Sequence, residues 1–274
     1  MENLIEVRQF FDSLGLNYPA HPEVKVESVM LADVACYRFV PPRVVSREIV
    51  VYLHGGAYKL GSIRSHQAMV SHIAAATGRV ILFVEYSLAP EHPFPQALNE
   101  TTAVIRELTH TAPDPAFALM GDSAGGNLAI ATALNLKQHK LPAARYHVLI
   151  SPWLNMRIDA ASYTENEKSD PILTRELLQD AAKQYTAGEP VTNPLVSPVQ
   201  GSFEGLSPTL TLVGAGEILR DDSLNLDDAL KKAGAVSRLE VFDKVTHVWT
   251  LADIKSADSK KALKITRKFM DDLQ

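Results

Sequence analysis

The stretch from Phe117 to Leu134, FALMGDSAGGNLAIATAL, constrains this chain more than any other. A short apolar run ends in Gly121-Asp122-Ser123-Ala124-Gly125, and the residues beyond are helix formers with apolar side chains at helical spacing. The pattern predicts a strand, a sharp turn and a helix. A serine in G-x-S-x-G at such a junction sits on a strained turn that lifts its hydroxyl clear of the sheet, and the free N–H groups opening the helix favour negative charge beside it. Gly121 and Gly125 leave room for strand and helix backbones to pass closely. The same five residues also suit an ordinary tight turn, so their meaning rests on their surroundings.

Those surroundings alternate strands with helices. Ile49–Leu53, Val80–Val84 and Val148–Ile150 are continuous apolar runs of the kind found in strands buried on both faces, and Thr209–Val213 and Leu239–Phe242 read as two further strands. Between and after them the spacing predicts helices over Ser65–Thr77, Gln96–Thr109, Asp222–Ala233 and Ala257–Leu273. This is the signature of a mainly parallel sheet. Ahead of it, Val24 to Val40 alternates as two early antiparallel strands stopped by Pro41-Pro42, and Leu4, Val7, Phe11 and Leu14 form the stripe of an amphipathic helix ending near Gly15. Residues 155–196 break the rhythm with polar residues, several prolines and one helix predicted over Thr174–Tyr185, and read as an insertion.

Composition narrows the partners. With 274 residues, 46% hydrophobic and 22% charged, the chain is long enough for one large α/β domain with a sizeable core. The net charge of −5 is mild and unclustered, which argues against nucleic acid or an anionic membrane as a partner. Cys36 is the sole cysteine, so no intrachain disulfide or cysteine-rich metal site can form, which permits a cytoplasmic home. The first residues carry Glu2 and Glu6 and lack a secretory signal's basic start, and no apolar run reaches the roughly 18 residues of a membrane span.

Five motifs then fall in order: HGGAY at 54–58, YSLAPEHPFP at 86–95, GDSAGG at 121–126, GAGEILRDD at 214–222 and THVW at 246–249. Over about Ile49 to Trp249 the chain resembles the hormone-sensitive-lipase-like branch of the α/β-hydrolases. The resemblance implies an α/β-hydrolase fold over 1–274: an eight-stranded, mostly parallel sheet flanked by helices, with a small helical cap built from about 1–20 and 155–196. It also implies carboxylic ester hydrolysis with no metal and no cofactor. Ser123 is the expected nucleophile and His247 its base, in the chain order serine, acid, histidine. Where the family carries an aspartate this chain has Glu217, which can orient and stabilise the imidazole in the same way. Asp221 is the alternative acid, and Asp222 a further rival; both also suit a helix N-cap. Gly55 and Gly56, with the N–H of Ala124, are the expected oxyanion hole.

The resemblance implies pocket walls from the N-terminal segment and the 155–196 insertion, and Tyr58, Trp153, Leu154 and Trp249, beside motif residues, are candidate wall residues that could equally be core. His54 is read as shaping its loop, Asp122 as holding the elbow, and Glu91 as a buried acceptor supporting the oxyanion segment. His66, His72, His110, His139 and His147 are read as surface or packing residues. The functional expectation is a cytoplasmic serine esterase for short acyl chains, acetyl to butyryl, whose activity falls below about pH 6 because the base must be neutral. The alternatives are an amide or formamide hydrolase with the same triad and a non-catalytic small-molecule receptor. An edge strand leaves a homodimer open.

Overall fold

The computed structural model describes residues 4–111 and 116–273. Residues 1–3, which belong to the expected N-terminal cap element, and Gln274 lie outside them. In chain order the strands are β1 (Lys25–Leu31), β2 (Val34–Val40), β3 (Ile49–Leu53), β4 (Val80–Val84), β5 (Phe117–Asp122), β6 (His147–Ile150), β7 (Thr209–Gly214) and β8 (Ser237–Phe242). The helices are α1 (Leu4–Ser13), α2 (Ile63–Thr77), α3 (Gln96–Thr111), α4 (Ala124–Gln138), α5 (Ser162–Glu165), α6 (Arg175–Thr186), α7 (Arg220–Lys232), α8 (Trp249–Ala252) and α9 (Ala257–Asp271). All eight strands join one sheet in the order β1-β2-β4-β3-β5-β6-β7-β8. The pairs β1–β2 and β2–β4 are antiparallel and the other five are parallel, so β2 alone runs against the direction of the rest.

The apolar runs become central strands because both of their faces are covered. In β5, Phe117 and Leu119 face the core beneath α3, α4 and α7, while Ala118 and Met120 face the one beneath α2 and α9. In β3, Val51 and Leu53 point one way, and Val50 and Tyr52 the other. Every residue of β5 is buried, at about 1.5–3 kcal/mol of transfer free energy for each large apolar side chain. α2 begins two residues earlier than the apolar spacing suggests because Ser62 and Ser65 form a reciprocal capping box. Thr174 caps α6 by accepting from Leu177 N–H.

The pairings Leu53↔Gly121 and Asp122↔Ile150 bring the C-terminal ends of β3, β5 and β6 level. Of the loops that leave this edge from β3 to β8, all but the one after β6 carry one of the five sequence motifs. It is the end of an open α/β sheet where ligands bind.

Above the edge, α1 has no fully buried residue. It is fastened instead by Arg8, whose guanidinium donates to both carboxylate oxygens of Glu91 (2.8 and 2.7 Å), to the Lys59 carbonyl (2.8 Å) and to the Ala89 carbonyl (3.0 Å). Ser62 adds a bond to Asp12 at 2.6 Å. α6 buries Leu178, Ala181, Ala182 and Tyr185 against the body, and Asp180 pairs with Lys59 at 2.8 Å. Among the described residues no helix is long and apolar enough to cross a membrane.

Two tests follow from this packing. In β6, burial pushes the His147 imidazole down to about 4, whereas in the unfolded chain it titrates near about 6.5. Between those values unfolding takes up a proton, so stability is full above about pH 6.5 and is lost as pH falls towards 4, by on the order of 2 kcal/mol between pH 7 and 5. Thermal melts across that range are expected to drop in Tm, and His147→Gln to flatten the drop. Because α1 hangs on Arg8, Arg8→Ala is expected to raise amide hydrogen exchange throughout residues 4–13 while leaving the exchange of β3, β5 and β6 unchanged.

Candidate active site

Ser123 stands at the tip between β5 and α4 with φ 52° and ψ −121°, a conformation that L-residues other than glycine rarely adopt. The turn is held from both sides: Ser123 N–H donates to Ile150 O (2.9 Å), and Trp153 N–H donates to Ser123 O (3.0 Å). Small neighbours are obligatory, since a Cβ on Gly125 would lie 2.0 Å from the Leu53 carbonyl oxygen.

His247 follows β8, and its Nε2 lies 2.9 Å from Ser123 Oγ. Its Nδ1 lies 2.8 Å from Glu217 Oε2. A carboxylate there makes Nδ1 the donor and leaves Nε2 to accept the serine proton. Glu217 is buried, and its other oxygen accepts from Gly214 N–H (2.6 Å) and the Ser151 hydroxyl (2.7 Å).

Asp221, the alternative acid, points elsewhere. It accepts from Ser162 N–H (2.9 Å) and pairs with Arg220 (2.9 Å). Asp222 is buried with Oδ2 on Leu154 N–H (2.7 Å), Asn155 N–H (2.9 Å) and Tyr163 Oη (2.9 Å), and burial raises its carboxyl to about 7 against those bonds. Neither caps α7, whose N-cap position is Leu219. Both fasten the insertion to the loop that carries Glu217.

Before the elbow, Gly56 turns at φ +115° where a Cβ would meet Leu60 O at 2.2 Å, so the segment must be glycine to reach the site. Gly56 and Ala57 line the cavity around Ser123, and Ala124 opens α4 beside it. Gly55 corrects the expectation for the oxyanion hole: its N–H donates to Asp122 Oδ1 at 3.1 Å, which makes it the anchor of the loop and leaves Gly56 and Ala124 as candidate donors. Asp122 also accepts from Tyr52 Oη (2.7 Å) and lies 3.5 Å from His66 Nε2. Burial opposes its charge, but His66 and the Tyr52 hydroxyl outweigh burial and hold its carboxyl below the usual range. The His54 ring stacks on Tyr86 (4.3 Å between ring centres), and burial pushes its pKa down to about 3, so it stays neutral.

Glu91 is not the buried acceptor expected of it. Its side chain is 51% exposed and serves Arg8, because the loop turns it outwards towards α1. The support under the oxyanion segment is Tyr86 Oη, donating to His54 O at 2.6 Å.

A cavity of about 420 Å³ opens over Ser123 and His247. Its walls are Val7, Phe10, Phe11 and Leu14 at the N-terminal end, Leu60 below, Ile172, Leu173, Leu177 and Leu178 from the insertion, and Val248 and Leu251. None of the four walls expected from motif adjacency lines it. Tyr58 is buried on Asn127 and stacked 3.6 Å from Tyr185, Trp153 lies in the core, Leu154 hangs on Asp222, and Trp249 packs on Phe242. Being next to a motif placed them in the scaffold behind the site, whereas the walls come from the amphipathic faces of α1 and α6. A wider cleft of about 760 Å³ between α1 and α2 lacks any such group of reactive side chains. Sequence reasoning gives Arg8 and Ser151 no part and reads His66 as packing; the structure sets Arg8 on Glu91, Ser151 on Glu217 and His66 beside Asp122, contacts that nothing in their local pattern marks.

Comparison with known proteins places this geometry. The model of the alpha/beta hydrolase fold family matches residues 50–251. An esterase of Acinetobacter venetianus is 31% identical over 259 residues, covering 94% of this chain and 85% of its own. An acetyl-hydrolase of Streptomyces hygroscopicus is 35% identical over 222 residues, covering 81% and 74%. The crystal structure of an esterase from the bacterial hormone-sensitive lipase family superposes with a TM-score of 0.94 at 34% identity, over 98% of this chain and 91% of that one. On its sheet order, its elbow and these likenesses, the chain belongs to the alpha/beta hydrolase fold family and, within it, to the hormone-sensitive-lipase-like esterases.

Proposed function

We propose that the chain is a serine carboxylesterase that hydrolyses short-chain acyl esters through an acyl-enzyme. The observation that carries this reading is the continuous relay from Ser123 Oγ to His247 Nε2 (2.9 Å) and from His247 Nδ1 to Glu217 (2.8 Å). Ser123 Oγ attacks the ester carbonyl as His247 Nε2 takes its proton, and Glu217 stabilises the imidazolium without accepting the proton. The N–H groups of Gly56 and Ala124 receive the developing oxyanion; losing one such donor costs about 3 kcal/mol in comparable sites. His247 then protonates the departing alcohol and takes a proton from a water that attacks the acyl carbonyl; the bond from the acyl carbon to Ser123 Oγ breaks, His247 returns the proton to Oγ, and the acid is released.

The substrate class follows from the cavity. Its lining is almost wholly apolar, with Asn17, Asp122, Ser123 and His247 the polar exceptions. No lysine or arginine lines it to pair with an anionic acid or alcohol, which favours uncharged esters. About 420 Å³ must hold both arms of the ester, which favours an acyl chain from acetyl to butyryl. With one buried cysteine the fold needs no oxidising compartment, and we assign the enzyme to the cytoplasm. The half-exposed edge strand β8 offers the pairing surface for a homodimer, which sedimentation velocity would test.

A p-nitrophenyl ester chain-length series tests the whole reading. Ser123→Ala is expected to lower kcat by about a thousandfold or more, and Glu217→Ala by about tenfold or more, with Asp221→Ala far less affected. Undiminished turnover by Ser123→Ala, or faster cleavage of emulsified long-chain lipids than of soluble acetyl and butyryl esters, would overturn it.

A further inference from the structure

The acid in this chain is a glutamate, and a longer side chain needs more to hold it still. An aspartate has two side-chain torsions between backbone and carboxylate oxygens; a glutamate has three. Glu217 Oε2 faces His247, so the orientation of the carboxylate is fixed by whatever grips Oε1. Two groups do: the backbone N–H of Gly214, on the same loop, and the hydroxyl of Ser151, from the end of β6. Ser151 is the sole side chain donating to Oε1 among the described residues.

The same hydroxyl has a second partner. Ser151 Oγ accepts from Val248 N–H at 3.2 Å, so one oxygen joins the acid to the residue that follows the base. Ser151 is wholly buried, with its own N–H on Leu212 O at 2.7 Å, so its Oγ is rooted in the sheet. Both ends of this bond are strained. Ser151 has φ 47° and Val248 φ 46°, left-handed conformations that L-residues avoid and that a β-branched valine avoids most. Such strain persists only where the surroundings over-determine it, and it gathers at functional sites.

We propose that Ser151 is a positioning residue of this site: by donating to Glu217 and accepting from Val248, it fixes the carboxylate and the histidine loop in one frame. This rests on the reading of Ser123, His247 and Glu217 as a catalytic relay. The sequence hides it, because Ser151-Pro152-Trp153 reads as no more than the end of a strand. Ser151 does not touch the substrate cavity, so its contribution belongs in kcat and not in KM.

The experiment uses Ser151→Ala and Ser151→Gly, each alone and combined with Glu217→Ala, on p-nitrophenyl butyrate. Alanine removes the hydroxyl and keeps the strained backbone, whereas glycine removes both hydroxyl and strain and guards against loss of folding in the alanine variant. Thermal melts confirm that each variant is folded. Both single variants are expected to lose on the order of tenfold to a hundredfold in kcat with KM changed less than about threefold. In the Glu217→Ala background either substitution should add less than about twofold, since the hydroxyl then has no carboxylate to hold. Wild-type kcat in a folded Ser151→Gly, or an undiminished loss in the Glu217→Ala background, would overturn the proposal. Full activity of Glu217→Ala itself would instead overturn the relay on which it stands.

Discussion

The backbone of Ser123 is the constraint on which the rest of the site depends. Its φ of 52° and ψ of −121° cost about 1–3 kcal/mol, and the chain accepts this because the strand before it and the helix after it are buried on every side. Leu53 of β3 approaches so near that Gly125 has no room for a methyl group, while Ile150 of β6 takes the Ser123 N–H. Three strands and α4 therefore meet at one residue. A shift in the register of any of them would release the strain and lower the hydroxyl into the sheet, so the site is specified by the core and not by its own few contacts.

A buried anion then carries the oxyanion loop. Asp122 stands next to Ser123 in the chain, yet its carboxylate faces the other way, towards Tyr52, the Gly55 N–H and His66. Its three partners tie β3, the glycine segment and α2 to the elbow. His54, at the head of the glycine segment, is a neutral slab stacked on Tyr86 and Phe83. Neutrality follows from burial: Nδ1 bonds the Gly55 carbonyl at 2.7 Å, but Nε2 has no partner among the described residues, so a proton there would be a buried, unpaired donor.

How much of this is legible in the sequence depends on the range of the interaction. The strands of the sheet and the longer helices can be read from residues 49 onward because burial on both faces writes itself as an unbroken apolar run, and amphipathic packing as a period near 3.6. Ser123, His247 and Glu217 can be read because chain order and motif spacing limit the choice, although spacing alone does not decide between Glu217 and Asp221. What cannot be read is any role set by side-chain direction. Trp153 and Trp249 lie next to motif residues but point into the scaffold, while Phe10 and Leu177, far from any motif, wall the cavity. Glu91 belongs to the expected supporting loop but turns outwards to Arg8, some eighty residues distant in the chain. Polar tethers of this kind have no period and no composition; they exist only once two distant segments are brought together.

The tethers divide the cavity between two parts of the machinery. α1 and α6 both hang from Lys59, three residues beyond Gly56: Arg8 on its carbonyl and Asp180 on its ammonium. The start of the insertion hangs instead from Asp221 and Asp222, four and five residues beyond Glu217. That start does not line the cavity; the wall residues Ile172 and Leu173 are tied to the acid's loop through Asp170, which accepts from both of their N–H groups and from Ile218 N–H. The first attachment is made at the surface, by exposed ion pairs worth about 0–1 kcal/mol each. The start of the insertion is held by a buried carboxylate, Asp222, with three donors, one of which is Tyr163 Oη. Attachment is thus weakest at α1, where no side chain is fully buried, while Glu217 is held by its own bonds to Gly214 and Ser151.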